Sequence, residues 1–396
     1  MIRTEGRANT GLLAAAAWIG LIVGLAEGPL FFAARLLYRQ AVRVNTDILW
    51  VAPLVDVTVF VLAAGALLLV ARLIRRPPPE RTTWFALISM TLVVFISVLS
   101  YDRLNPLAVL LLACGLGLRL SSVLGRHAAR LGRLFRRTLA PLLVLAVLYG
   151  LGVVAAGRVR EARAIAGLPE NPGAPNVILI ILDTVRADHL STYGYDRETS
   201  PQLSALARAG ALFSRAYAPA SYTLASHGTL LSGLYPQEHG ADWSSPMGFH
   251  KCGCPVLAQR LRENGYRTAA VSANPFWFTH EHGFDQGFIR FRDYGITPAG
   301  KAYQTLVGRI IGDLVLPRLG FEDTPARTRG DRVTREALRW IRSDSEHPFF
   351  VTLNYFDAHD PYLTPHPYRD MFAEPGAGSG MINWRLHGED PALTRA

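Results

Sequence analysis

The sequence predicts a multi-pass α-helical membrane domain followed by an α/β domain built on a mostly parallel sheet. Half of the 396 residues are hydrophobic and the mean hydropathy is positive at +0.18, a balance ordinary soluble domains rarely show. The apolar residues concentrate in 1–158, as runs separated by arginine-rich joints. Beyond residue 174, β-branched runs alternate with helical patterns, the grammar of a parallel sheet with crossover helices. These observations divide the chain into a membrane domain over 1–158 with about five transmembrane helices, a Pro- and Gly-containing linker over 159–174, and an α/β domain over 175–396.

The expected spans are 11–32, 49–70, 83–99, 106–120 and 139–156. A crossing takes roughly 20 apolar residues, and the fourth run falls short of that. Arginine placement supports the count, because basic residues flanking a span stay on the cytoplasmic side. The joints holding Arg72, Arg75, Arg76 and Arg81, and Arg126, Arg130, Arg133, Arg136 and Arg137, share a side with Arg3 and Arg7 if there are five crossings. Arg35, Arg39 and Arg43 run against this bias. Everything after Arg158 is then expected outside the cytoplasm, anchored in the cell's inner membrane. A cleaved signal peptide is the rival for the first run, but the later runs anchor the chain in either case. Glu27 and Asp56 fall in or near spans and receive no role.

The net charge of +10 follows from these arginines. The only lysines are Lys251 and Lys301, and the polar half lacks phosphate-gripping basic clusters, so no nucleic-acid partner is expected. Of three cysteines, Cys114 sits in an apolar run and Cys252 and Cys254 are two apart. That is no disulfide framework and too few ligands for structural zinc, so the pair reads as incidental small residues, with a local bridge as the alternative.

In the polar half, 176–182 reads as a strand buried on both faces, ending at Asp183. Ser200 and Pro201 open a helix that Gly210 stops, and 211–217 reads as a second strand. A helix over 255–265 precedes a strand at 268–271. Another around Val333, Ala337 and Ile341 precedes a strand at 348–356. Ligands of such sheets bind beyond the carboxyl ends of the strands. Those ends offer Asp183, the segment Ser221 to His227, and Asp357, His359 and Asp360. Carboxylate and hydroxyl oxygens with imidazole suit a hard or borderline divalent cation. Read singly, an Asp after a strand is a helix cap and a lone histidine is structural.

The string ILDTVRADHLSTYGYDRETSPQLSALARAGALFSRAYAPASYTLASHGTLLSGLYPQEHG, followed by HGFDQGF and NYFDAHDPY, resembles the sulfatase family of the alkaline-phosphatase superfamily, particularly its membrane-anchored bacterial members. The resemblance implies an α/β/α alkaline-phosphatase-like fold and a metal-dependent hydrolase of sulfuric or phosphoric esters. The metal would be calcium, magnesium, manganese or zinc. It implies that Asp183 is a metal ligand and that Thr223 stands where sulfatases carry the residue oxidised to formylglycine. Threonine cannot be converted in that way, and His227 and Ala225 replace the usual arginine and proline. The chain is in these respects more similar to threonine-nucleophile relatives, so transfer of a phospho-group to envelope lipid or glycan is the alternative activity. A truncated, inactive binding protein is a further one.

A metal-coordinated threonine hydroxyl is a competent nucleophile, and a helix beginning near Thr223 would favour an anionic transferring group. A simple helix cap is the alternative role for Thr223. His227 and His359 are candidates to contact or protonate the transferring group. Asn274 and Asp360 are candidates for substrate contact, whereas Asp357 orients its loop and His239 is structural. Relatives complete the metal site with an Asp-His pair in a motif resembling Asp-His-Gly-Glu. The nearest string is His387, Gly388, Glu389, without the aspartate, so the domain is expected to be truncated.

Overall fold

The structure is a computed structural model. It describes residues 2–38, 44–75, 80–100, 103–242, 248–293, 295–321, 323–360, 362, 368 and 371–372, and the string His387, Gly388, Glu389 lies outside them. In chain order the elements begin with the helices α1 (Ile2–Tyr38), α2 (Ile48–Leu73), α3 (Glu80–Ser100), α4 (Pro106–Gly125) and α5 (Ala128–Ala166). Next come β1 (Val177–Leu182), α6 (Pro201–Ala209), α7 (Thr223–Ser232), α8 (Pro236–His239), α9 (Leu257–Glu263), β2 (Arg267–Ser272) and β3 (Arg290–Arg292). The last are α10 (Pro298–Tyr303), α11 (Leu306–Ile310), α12 (Gly330–Ile341) and β4 (Phe349–Tyr355). They form two compact units, one of Met1–Ala166 with Gly295–Arg318, the other of Gly167–Tyr294 with Leu319–Ala396.

In the first unit all five helices are long and apolar enough to cross a membrane. The fourth, which looked short, continues past residue 120 to Gly125 and reaches 20 residues. Asn105 caps it, accepting from Leu107 N at 2.9 Å. Glycines at every fourth position of α1 let it lie against α2. A Cβ on Gly20 would stand 2.7 Å from the Asp56 carbonyl, one on Gly24 would overlap the Pro53 backbone, and one on Gly28 would stand 2.9 Å from the Leu49 side chain. Small residues at this spacing allow helix backbones to approach where lipid offers no hydrophobic drive.

The segment Gly295–Arg318, which the sequence reading placed in the α/β domain, packs with these helices. Leu306 and Val307 pack against the apolar helical core, and polar ties hold the segment as well. Leu306 N donates to the buried Glu27 Oε1 at 2.5 Å. Gln304 Oε1 accepts from Asn45 N at 2.8 Å, and Lys301 Nζ lies 2.8 Å from Asp47.

The second unit carries a four-stranded sheet in the order β1-β4-β2-β3, with each neighbouring pair parallel. β4, the last strand in sequence, enters between β1 and β2, so the carboxyl ends of three strands meet at one rim of the sheet. The strands follow from β-branched and aromatic runs. α12 follows from Val333, Ala337 and Trp340, which form one buried stripe at helical spacing. Phe249, Phe278, Phe284, Phe288 and Phe350 fill the core with Leu224 and Leu231. Each fully buried ring stabilises by about 1.5–3 kcal/mol relative to exposure.

Three expectations are corrected. The segment 211–217 forms no strand and is exposed throughout. It pairs with none of the four strands, which supply each other's ladder partners. β1 is half-buried on one face only, and on the other face Ile178 and Ile180 remain 51% and 55% exposed. Cys252 and Cys254 are not incidental, since a disulfide joins them across a turn with Gly253 at φ 57°.

Candidate functional site

Asp183 follows β1, and its N–H donates to the Tyr355 carbonyl at 2.9 Å, which extends the β1–β4 ladder by one bond. The chain then leaves the sheet abruptly. Thr184 adopts φ 59°, a left-handed conformation costly for a β-branched residue. Its hydroxyl donates to the Ala358 carbonyl at 3.0 Å, tying the loop after β1 to the loop after β4.

Thr223 is the first residue of α7, and Tyr222 occupies the cap position without a side-chain capping bond. The helix-cap alternative for Thr223 is therefore set aside. Its hydroxyl instead accepts from Asn274 Nδ2 at 3.3 Å. The same nitrogen donates to Asp183 Oδ2 at 3.0 Å. Asn274 is fixed in turn, because its Oδ1 accepts from Phe276 N and Trp277 N, both at 3.0 Å. Sequence reading weighed Asn274 only as a substrate contact; the structure makes it the bridge between the two leading candidates.

Asn354, near the end of β4, was missed. Its Nδ2 donates to Asp183 Oδ2 at 3.2 Å and lies 3.2 Å from His227 Nε2. Its signal was present, a polar residue inside the apolar strand FFVTLNY at the sheet rim. Register explains the convergence, since Asn354 pairs with Ile181 on one side and Ser272 on the other.

His227 lies one helical turn beyond Thr223 and is buried against the Phe278 ring at 4.9 Å. Burial pushes its pKa down to about 4, against the pull of the Asp183 carboxylate and the Thr223 carbonyl. At neutral pH the imidazole is uncharged and retains a lone pair.

His359 stays outside this cluster. It stacks on Phe356 at 4.0 Å between ring centroids, and its Nδ1 lies 3.0 Å from the Asp360 carbonyl. Asp360 is exposed. Their loop is shaped by the buried Arg327, whose Nη2 donates to the carbonyls of Phe356, Asp357 and His359 at 2.7, 3.0 and 3.2 Å. Asp357 accepts from Gly330 N at 3.1 Å, at the start of α12. His239 has a packing role. Ala241 N donates to its Nδ1 at 3.1 Å, which leaves Nε2–H to donate to Thr229 Oγ1 at 3.1 Å.

The cluster suits a divalent cation. Asp183 Oδ2 and Thr223 Oγ1 both lie within hydrogen-bond reach of Asn274 Nδ2, and Asn354, whose Nδ2 faces Asp183, has a buried Oδ1 with no hydrogen-bond partner. A buried amide oxygen without a donor is costly, and a cation is one partner that would satisfy it. Carboxylate, hydroxyl and amide oxygens beside a neutral imidazole match hard and borderline ions.

Fold and site together define an α/β domain with a polar, oxygen-rich centre at the carboxyl rim of its sheet, joined in one chain to five membrane-type helices. Residues 175–379, more than half of the chain, match the sulfatase family model, and the chain belongs to that family. It is 31% identical over 105 residues to an N-acetylgalactosamine-6-O-sulfatase of Bacteroides thetaiotaomicron, covering 26% of this chain and 20% of the relative. It is 23% identical over 222 residues to a choline-sulfatase of Rhizobium meliloti, covering 51% and 42%. Among solved structures, an integral membrane lipooligosaccharide phosphoethanolamine transferase of Neisseria meningitidis aligns with a TM-score of 0.35 and 12% identity, covering 92% of this chain and 72% of the other. The chain thus spans less than half the length of these two curated relatives.

Proposed function

We propose that the protein is a membrane-anchored, metal-dependent enzyme that cleaves or transfers a sulfate or phosphate ester, with Thr223 as nucleophile. The supporting observation is that one nitrogen, Asn274 Nδ2, lies within hydrogen-bond reach of both Asp183 Oδ2 and Thr223 Oγ1. A carboxylate and a hydroxyl held this closely can share a cation. Asp183, Thr223 and Asn354 would hold a divalent ion, which lowers the pKa of a coordinated hydroxyl and offsets charge on the transferring group.

The chain's own residues supply the rest. Thr223 Oγ1 is aimed by Asn274, and α7 directs its first free N–H groups at an anionic group on the same side. His227, uncharged and buried, can accept a proton or hydrogen-bond the transferring oxygens. His359 and Asp360, on the exposed loop after β4, are positioned to meet the rest of the substrate rather than the reacting atoms. The five apolar helices favour a substrate in the envelope, a lipid or glycan ester, with the α/β unit on the extracytoplasmic face of the inner membrane.

Purified full-length protein, supplied with Mn²⁺ or Zn²⁺, is expected to release product from aryl sulfate or aryl phosphate esters. Thr223→Ala should lower turnover by about 100-fold or more, as loss of a nucleophile does, while Thr223→Ser retains it. Equal turnover in wild type and Thr223→Ala would overturn the assignment.

A further inference from the structure

A second group of potential ligands lies on the connection from β2 to β3 and just past β3. One ligand atom each of His280, Glu281 and Asp293 falls within 4.8 Å of the others. His280 Nδ1 is 2.6 Å from Asp293 Oδ2, and its Nε2 is 3.6 Å from Glu281 Oε1. The backbone N–H of His280 also donates to Asp293 Oδ2 at 3.2 Å, so the turn itself holds the carboxylate in place. Glu281 is fully buried, and neither of its carboxylate oxygens makes a well-formed hydrogen bond, although the Thr279 side chain and its own backbone N–H interact with it.

That last feature demands an explanation, since a buried carboxylate without well-formed hydrogen bonds is among the costliest arrangements in a core. We propose that His280, Glu281 and Asp293 form a divalent-cation site, suited to zinc and separate from the Asp183–Thr223 centre. Charge supports it. Two carboxylates with a neutral imidazole are balanced by one divalent ion. Ligand chemistry supports it as well, because histidine nitrogen and carboxylate oxygen are both ligand types that zinc accepts, with water completing the set. The His280 side chain is 20% exposed and gives the ion a way in.

The test is zinc stoichiometry, with zinc chloride as the probe and the full chain in detergent. In an Asp183→Asn/Thr223→Ala background, where the first centre is removed, one equivalent of zinc should remain after dialysis and raise the thermal midpoint. Adding Glu281→Gln should take away that equivalent and abolish the zinc-dependent rise. Because glutamine relieves a buried charge, the metal-free midpoint should hold or increase, which separates loss of a site from loss of the fold. Asp293→Asn should give the same loss of zinc. Retention of the equivalent in Glu281→Gln, or no zinc in the starting background, would overturn the proposal.

Discussion

The Thr223 hydroxyl and the Asp183 carboxylate, 40 residues apart in sequence, share one hydrogen-bond donor, the side-chain amide of Asn274. Substituting Asn274→Asp keeps an acceptor for Phe276 N and Trp277 N while removing the donor and placing a second carboxylate beside Asp183. Metal-free stability should fall by about 1–3 kcal/mol, the usual cost of an unsatisfied buried polar group. Urea unfolding of the full chain in detergent measures it, and an unchanged midpoint would contradict the bridging role.

Arg267, at the opposite end of β2, is fully buried and stacks over Trp340 at 4.6 Å. It donates to the Asp344 carbonyl at 2.7 Å and the Ile341 carbonyl at 3.2 Å. Arg267→Ala should cost about 3–5 kcal/mol, because it removes one partner of a buried charge network. Tryptophan fluorescence should register the lower unfolding midpoint, with Trp340 as a local reporter.

Acid stability should depend on Asp344. Burial works against its charge, but the N–H groups of Glu346 and His347, the His347 imidazole and Arg267 outweigh that and hold its carboxyl below the ordinary range. A carboxyl with a depressed folded pKa contributes stability above its unfolded value, near 3.8, and that contribution is lost as pH falls through the lower folded value. Asp344→Asn should therefore be less stable than wild type at neutral pH and show a shallower acid limb below pH 4. Circular dichroism across that range checks both.

The glycines of α1 give a paired test. Gly24→Val must push α1 off the Pro53 backbone, and overpacking of this kind typically costs about 1–3 kcal/mol. Gly65→Val in α2 has open space within 4 Å and should cost far less. Thermal stability in detergent should fall for the first substitution and hold for the second.

Membrane helices and sheet strands were legible in sequence because each rests on a local pattern. Apolar length marks a span, and β-branched runs such as VILIIL mark a strand. Asp183 stood out as the residue ending the VILIIL strand, and Thr223 and His227 stood out only through the family string, since the strand expected before them does not form. Asn354 was visible as a polar residue inside the apolar strand FFVTLNY, but its partners were not, since they depend on β4 entering between β1 and β2, a pairing that no local pattern encodes. Segment 211–217 failed for the converse reason: a strand needs a ladder partner, and apolar composition does not supply one. The attachment of Gly295–Arg318 to the membrane helices rests on a few contacts, the apolar packing of Leu306 and Val307 and single hydrogen bonds such as Leu306 to Glu27, which leave no periodic trace.

The grip of Arg327 on three carbonyls of the loop after β4 has a thermodynamic consequence. Immobilising a surface loop costs conformational entropy whenever it happens, and here a buried guanidinium fixes the backbone around His359 during folding. A ligand meeting that loop encounters a surface already set, so less of its interaction energy is spent on ordering the protein and more remains as affinity.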